Sequence, residues 1–278
     1  MLKKVGILFH PKVAAAQALV QQLVEAVADL NASVWQCSAW DEEAAKEHLD
    51  STELVICLGG DGTILRATRI VTPLPIPILG INFGRLGFMT ELSTGEALSH
   101  VPDFVRGEGW IDERAMLAVE LGSGELTSLQ ALNDVVVARG ERSRVIRVKA
   151  VIDGDVLTTY ICDGVIVATA TGSTGYSLAA SGPILHPQSK DILLQPVSSH
   201  LSIATALVLP PETTVELEVN AYHQAILSID GQVEVPLKDG DVVKVKLSSY
   251  TARLLRVQNP NRFYGTLVEK LTRKREQI

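Results

Sequence analysis

Cysteine is scarce in this sequence, with three residues in 278: Cys37, Cys57 and Cys162. The count is odd and no Cys-x-x-Cys pair occurs, so neither a disulfide framework nor a zinc site is indicated. Cys57 and Cys162 lie in apolar, strand-like runs and are expected to be small core residues. Positive charge is also in short supply. Lysine and arginine number 25 against 32 aspartates and glutamates, a net charge of −7. A broad nucleic-acid footprint needs a basic face and is excluded. An anionic substrate must then be held by local arginines and backbone N–H groups. No apolar run reaches membrane-spanning length, and no long apolar signal segment opens the chain, which enters a strand at once over Met1–Ile7. A cytoplasmic protein with no membrane partner is expected. Three common signatures are missing: Gly-x-x-x-x-Gly-Lys-Ser/Thr, Gly-x-Gly-x-x-Gly and His-Glu-x-x-His. Their absence excludes a P-loop, the usual dinucleotide fingerprint of hydride transfer, and a zinc protease helix. The histidines are scattered. His10, His48 and His100 read as surface or element-end residues; His200 and His223 are candidates to reach a site, although lone histidines are usually structural.

What the chain does have is apolar content, 46% against 21% charged, enough for one large or two ordinary domains. Lys4–Phe9 reads as a strand. Ala14–Leu30 reads as a helix, with Ala16, Leu19, Val20, Leu23, Val24 and Val27 at helical spacing. Ser33–Trp35 is a second strand, Asp41–Leu49 a short acidic helix, and Leu54–Leu58 a third strand. The helix Ile64–Val71 follows, ended by Pro73, Pro75 and Pro77. Ile78–Ile81 is a further strand leading to a second glycine-bearing loop, 82–88. Thr94 is positioned to cap a helix running to Val105. This βαβαβα order implies a parallel sheet.

The pattern changes near residue 108. Val215, Leu217 and Val219 alternate with Glu216 and Glu218, and Val243, Val245 and Leu247 with Lys244 and Lys246, as half-buried strands do. Asp153-Gly154, Asp230-Gly231 and Asp239-Gly240 are turn pairs. Short strands with regular turns read as a sandwich-like all-β domain. Asn261–Lys274 returns to helical spacing, with Phe263, Leu267, Val268 and Leu271 on one face. The expected organisation is an α/β domain over 1–107, a β domain over 108–258, and a terminal helix, 259–278, packing back on the first domain.

The chain is organised around Gly59-Gly60-Asp61-Gly62-Thr63, a strand-to-helix turn. Such turns, beyond the carboxyl ends of strands, are where open α/β sheets bind ligands. Glycine lets backbone approach a phosphate closely, and N–H groups at a helix start favour an anion. Asp61 does not suit a loop that only holds phosphate, because its carboxylate would repel one. It points instead to a metal or to a hydroxyl proton. The plainer alternative is a tight turn with Asp61 as helix N-cap.

Three further stretches are polar against expectation. Asn133 and Asp134 interrupt the apolar run 131–137; a strand-end turn is the simpler account. Asp163 precedes the buried-type strand Gly164–Ala168, where a hairpin turn is the simpler account. Thr169–Ser177 is the strongest, with five Ser and Thr hydroxyls and two glycines directly after that strand. Hydroxyls, N–H groups and the Tyr176 ring suit a ribose, a phosphate and a base. A solvated loop does not explain Tyr176.

Together these residues resemble the NAD kinase family. The matching pieces are Gly59–Thr63, Gly80-Ile81-Asn82 with Leu86-Gly87-Phe88, Leu132–Val136, Asp163-Gly164, Thr171–Thr174, Gly182-Pro183-Ile184 and Leu207–Pro210, in order from residue 5 to about 270. The resemblance implies a Rossmann-like parallel-sheet α/β domain plus a β-sandwich-like domain. It implies transfer of a phosphoryl group from ATP to the 2′-hydroxyl of the adenosine ribose of NAD, giving NADP. Mg²⁺ is expected on the donor phosphates, with no metal ligands fixed by sequence. Asp61 looks like the family's proton acceptor, and Gly59, Gly60, Gly62 and Thr63 like its phosphoryl-donor loop. Gly62, Arg66, Asn133, Asp134, Arg144 and Gln232 look like NAD contacts. Thr174, Gly175, Tyr176, Ser177, Leu178 and Ala179 match the loop around adenine and ribose. Asp163 matches a nicotinamide-side or subunit-interface contact. Family members use ATP alone or ATP and polyphosphate, and form dimers or tetramers. This chain departs from the usual pattern at Ala170, Gly175 and Asp134, where Pro, Ala and often Glu stand. Two alternatives share parts of the pattern: a lipid kinase with the same Gly-Gly-Asp-Gly turn, and a non-catalytic NAD(P)-binding regulator. The first would not need the 169–177 loop, and the second would not need Asp61.

Overall fold

A computed structural model describes residues 1–84, 87–122, 129–140, 145–199, 204–220, 224–258 and 263–275. Arg144, His200 and His223 lie outside the described residues. The chain divides into two compact units, Met1–Glu113 with Ala252–Ile278, and Arg114–Thr251.

In the first unit, Lys4–Phe9 (β1), Ser33–Ser38 (β2), Leu54–Leu58 (β3) and Ile78–Asn82 (β4) form a parallel sheet in the order β4-β3-β1-β2. Ala14–Ala28 (α1), Glu42–Lys46 (α2) and Asp61–Val71 (α3) connect the strands. The two-residue Leu92–Ser93 (β5) pairs with β4 and leads into Thr94–Arg106 (α4). Every residue of β3 is buried, as in a strand covered on both faces. Val5, Ile7, Ile56, Leu79 and Ile81 pack with Leu23 and Val27 of α1 and with Val101 and Phe104 of α4. Because β1 lies between β2 and β3, strand order reverses at the β1–β3 pair. Ligands are expected just beyond the carboxyl ends of those two strands.

Several element ends differ from the sequence reading, among them α1, which ends at Ala28, and α2, which ends at Lys46. The first strand after α1 runs to Ser38 rather than Trp35. It is an edge strand whose outer positions are polar, so apolar spacing alone stops short. Asp41 is the cap of α2, its carboxylate accepting from the Ala44 N–H at 3.3 Å. The α4 cap is Ser93 rather than Thr94. Glu96 stands three residues after Ser93 and accepts its N–H at 2.9 Å, completing a capping box.

Trp110–Leu121 (β6) carries the chain into the second unit. There follow Leu129–Ala131 (β7), Asp134–Arg139 (β8), Ile146–Ile152 (β9), Asp155–Cys162 (β10), Gly164–Ala168 (β11), the short helix Tyr176–Ala179 (α5), Ile192–Val197 (β12), Leu207–Leu209 (β13), Val215–Asn220 (β14), Ala225–Ile229 (β15), Val233–Leu237 (β16) and Val242–Arg256 (β17). Within this unit one antiparallel sheet runs β10-β9-β14-β17, with β6 and β7 beside it, and the other runs β13-β12-β11-β8-β15-β16. The alternating residues Val215, Leu217, Val219, Val243 and Val245 meet Val135, Val137, Val165, Val167 and Leu194 in one core. On the opposite face Glu218 pairs with Lys149 at 2.9 Å and Glu216 with Lys244 at 3.3 Å. The Asp153-Gly154 and Asp230-Gly231 turns have positive φ at both residues (50° and 90°, 53° and 63°); the first is a two-residue hairpin loop of the type I′ kind, and the second is followed by Gln232 before the next strand. Cys57 and Cys162 are buried free thiols, the former in the first unit and the latter in the sandwich core.

The terminal helix, Phe263–Arg275 (α6), belongs to the first unit, where the Lys270 ammonium sits 5.4 Å from the Phe88 ring centroid. Its apolar face is narrower than the spacing implied. Phe263, Leu267 and Leu271 are half-buried, but Val268 is 67% exposed.

Candidate active site

In the first unit, the candidate residues gather beyond the carboxyl ends of β1 and β3. Strand β3 delivers Gly59, whose N–H donates to the Ile81 carbonyl at 2.9 Å. Gly60 is the N-cap of α3, and Asp61 is its first helical residue. The helix therefore starts earlier than Ile64, and Asp61 is not its cap. Its carboxylate turns away from its own helix to the loop after β4. Oδ2 accepts the Phe88 N–H at 2.9 Å, and Oδ1 accepts those of Met89 and Thr90 at 3.0 and 3.3 Å. Gly87 makes this possible: a Cβ there would lie 2.2 Å from Oδ1. The turn glycines divide the work. A Cβ on Gly59 would strike the buried Thr63 hydroxyl at 2.2 Å, whereas Gly60 and Gly62 face open space. Gly59 and Thr63 are thus packing residues, and Gly60 and Gly62 leave room for a ligand beside Asp61.

Arg66 is one turn further along α3, with its guanidinium 4.4 Å from the Trp40 ring centroid. The His10 ring covers Trp40 as well, at 4.2 Å between centroids. Burial, and then the neighbouring Arg69 charge, pull the Arg66 pKa down. The guanidinium is engaged with Trp40 rather than with the Asp61 carboxylate.

The second group, in the β unit, is built on the β7–β8 turn. Asp230 organises it. Its carboxylate accepts the N–H groups of Leu132, Asn133 and Asp134 at 2.9, 2.7 and 3.0 Å, and its own N–H donates to the Asp134 carbonyl at 2.9 Å. Asp134 is buried, and burial followed by the Asp230 charge pushes its carboxyl up to about 7. The Asn133 Oδ1 is buried and has no hydrogen-bond partner. A Cβ on Gly172 would lie 2.0 Å from the Asn133 carbonyl oxygen, and one on Gly175 would lie 3.8 Å from both Asn133 Nδ2 and Asp134 Oδ2. Asn133, Asp134 and Gly175 are therefore neighbours. Gln232 is half-buried in the same turn as Asp230, its N–H bonded to Ile229.

The 169–177 hydroxyls behave differently from the sequence expectation. Thr169 donates to the Leu132 carbonyl at 2.6 Å, Ser173 to Ala170 at 2.6 Å and Thr174 to Thr171 at 3.0 Å. The Thr171 hydroxyl accepts from Arg114 at 3.3 Å. All four are buried, two bonded within the loop and two tied to Leu132 and Arg114 outside it. Ser177 is buried with an unpartnered hydroxyl, Leu178 is half-buried, and Tyr176 and Ala179 are exposed. Asp163 is not brought to this group. It lies at the opposite end of β11 from Thr169, about 20 Å of extended chain away, and pairs with Arg139 at 2.7 Å.

Asp230 is the residue that sequence reasoning missed. It was visible only as half of an Asp-Gly turn, a pairing too common to single out. The role of Gly87 was also hidden, because nothing in the local sequence ties that loop to Asp61.

An α/β unit with an acidic glycine turn at its switch point and a β unit carrying a buried polar loop fit the class of two-domain phosphotransferases that work without a P-loop. The chain belongs to the NAD kinase family. The ATP-NAD kinase N-terminal domain matches residues 3–108 and the C-terminal domain matches residues 132–257. NAD kinase from Dehalococcoides mccartyi strain CBDB1 is 43% identical over 281 residues, covering 100% of this chain and 99% of the relative. NAD kinase from Chloroflexus aurantiacus strain J-10-fl is 37% identical, covering 98% and 100%. Among solved structures, yeast NADH kinase complexed with NADH superposes with a TM-score of 0.81 at 25% identity, covering 98% of this chain and 88% of that one. An Archaeoglobus fulgidus NAD kinase in complex with ATP gives 0.78 at 25% identity, covering 95% and 98%.

Proposed function

We propose that Asp61 is the proton acceptor for transfer of the ATP γ-phosphoryl group to the 2′-hydroxyl of the adenosine ribose of NAD, giving NADP. The observation that carries this reading is the three-amide grip on the Asp61 carboxylate, which fixes it beside the open faces of Gly60 and Gly62. A carboxylate is a weak base for a ribose hydroxyl. That suffices because phosphoryl transfer is largely dissociative and the proton can leave late. Positioning and charge neutralisation supply most of the rate.

Mg²⁺ suits this site as a partner of the donor phosphates. Among the described residues no three His, Cys, Asp or Glu converge as a metal cage. Mg²⁺ is commonly held by one or two carboxylates plus substrate phosphates. When bound it neutralises charge on the donor. Gly60 and Gly62 give the phosphates access to the turn. NAD is assigned to Asn133, Asp134, Gln232 and the 174–179 loop, and the unpartnered Asn133 Oδ1 and Ser177 hydroxyl are the atoms left to meet it. The NADH- and ATP-bound neighbours support both substrates. Arg66 and Asp163 are kept as secondary contacts, Asp163 on the subunit-interface side, in a cytoplasmic dimer or tetramer. No helix among the described residues is long and apolar enough to cross a membrane.

The test is product formation from NAD, Mg²⁺ and either ATP or polyphosphate. NADP is expected with ATP and Mg²⁺ and lost with EDTA. NAD bound but left unphosphorylated by every donor would overturn the reading.

A further inference from the structure

Three charged residues of the first unit are buried together: Glu91, Asp112 and Arg256, each no more than 6% exposed. Glu91 precedes β5, Asp112 is in β6, and Arg256 ends β17. Arg256 Nε lies 3.3 Å from Asp112 Oδ2, and its Nη1 lies 3.1 Å from Glu91 Oε2. The other oxygen of Glu91 accepts the Val257 and Gln258 N–H groups, both at 2.8 Å. Buried ion clusters are weak devices for stability alone, because apolar replacements often do as well. This one reaches further. Arg256 Nη1 also donates to the Met89 carbonyl at 2.8 Å. The N–H of that same residue donates to Asp61 Oδ1. Two more bonds pin the loop: the Glu91 N–H to the Gly80 carbonyl at 2.9 Å, and the Gly87 N–H to the Thr90 hydroxyl at 2.7 Å.

We infer that the Arg256–Glu91–Asp112 cluster positions the Asp61 carboxylate, with Arg256 holding Met89 so that the 88–90 amides face it in one fixed geometry. Arg256 is a positioning residue: it touches neither Asp61 nor the reacting atoms. The inference rests on Asp61 being the proton acceptor.

Arg256→Lys tests it. Lysine keeps the charge but lacks the planar fork that reaches Asp112, Glu91 and Met89 together. NADP formation should show kcat lowered at least tenfold with the KM for NAD within twofold. Hydrogen exchange of the Phe88, Met89 and Thr90 amides should quicken. A folded Arg256→Lys with kcat within twofold of wild type overturns the inference, as does a kcat loss with unchanged exchange at 88–90. Should Arg256→Lys fail to fold, Glu91→Gln is read by the same criteria, since it keeps a carbonyl oxygen for Val257 and Gln258. If neither folds, the cluster holds the fold and the positioning role is rejected. Asp61→Asn run alongside separates the two ideas. Wild-type kcat there removes the base assignment, whereas an inactive Asp61→Asn beside an unaffected Arg256→Lys removes only the positioning role.

Discussion

Asp61 and Asp134 are carboxylates at the heads of their elements, and their surroundings treat them oppositely. Asp61 is half-exposed and receives three N–H groups. Asp134 is buried beside the charge of Asp230, and its carboxyl is raised from 3.8 to about 7. A raised carboxyl pKa means that the folded protein holds a proton the unfolded chain has released. Its stability contribution is therefore lost as pH climbs from about 4 to about 7. The upper bound on that loss is roughly 4 kcal/mol. Asp134→Asn removes the charge, so the variant should be more stable than wild type at pH 8, with the difference shrinking by pH 5. Urea unfolding of both proteins at the two pH values measures it; a pH-independent difference would remove the account of Asp134. The residue scale was only partly legible in the sequence. Asp61 stood out because a carboxylate is out of place in a phosphate loop. Asp230 did not, because its three acceptor contacts come from residues about a hundred positions away.

At the scale of elements, the acidic turn and the loop after β4 act as one device. Their coupling depends on Gly87, whose missing side chain admits the Asp61 carboxylate. Gly87→Ala should displace that carboxylate and lower kcat by about tenfold or more, the usual result of misplacing a reacting group by a fraction of an ångström. The KM for NAD should change little. Steady-state kinetics decide it, and an unchanged kcat would show that the grip does not matter. The strand-to-helix turn was legible from five residues, and the β-domain alternation from two short runs. Four of the five 169–177 Ser and Thr hydroxyls are bonded within the protein, which the sequence does not show. A hydroxyl-rich loop is equally suited to binding a ligand and to bonding its own backbone. The partners that decide between these, Leu132 and Arg114, lie far off in the chain.

For the whole molecule, the α/β and all-β halves were readable because hydrophobic period changes from helical to alternating spacing near residue 108. The points of division were less readable. β6 and β17 carry unbroken strand patterns through Glu113–Arg114 and Thr251–Ala252, so no turn or change of composition marks either crossing. Family membership was legible because the polar interruptions occur in a fixed order along the chain. The two groups of candidate residues fall one in each unit.

The most direct test is kcat for NADP formation by Asp61→Asn beside wild type, with NAD affinity measured separately. The carboxamide keeps the size and one acceptor oxygen but cannot take a proton. A fall in kcat of about 10²- to 10⁴-fold, with the Kd for NAD within a few-fold of wild type, is the predicted result. Wild-type kcat in Asp61→Asn would contradict it and would leave the acidic turn without its chemical role.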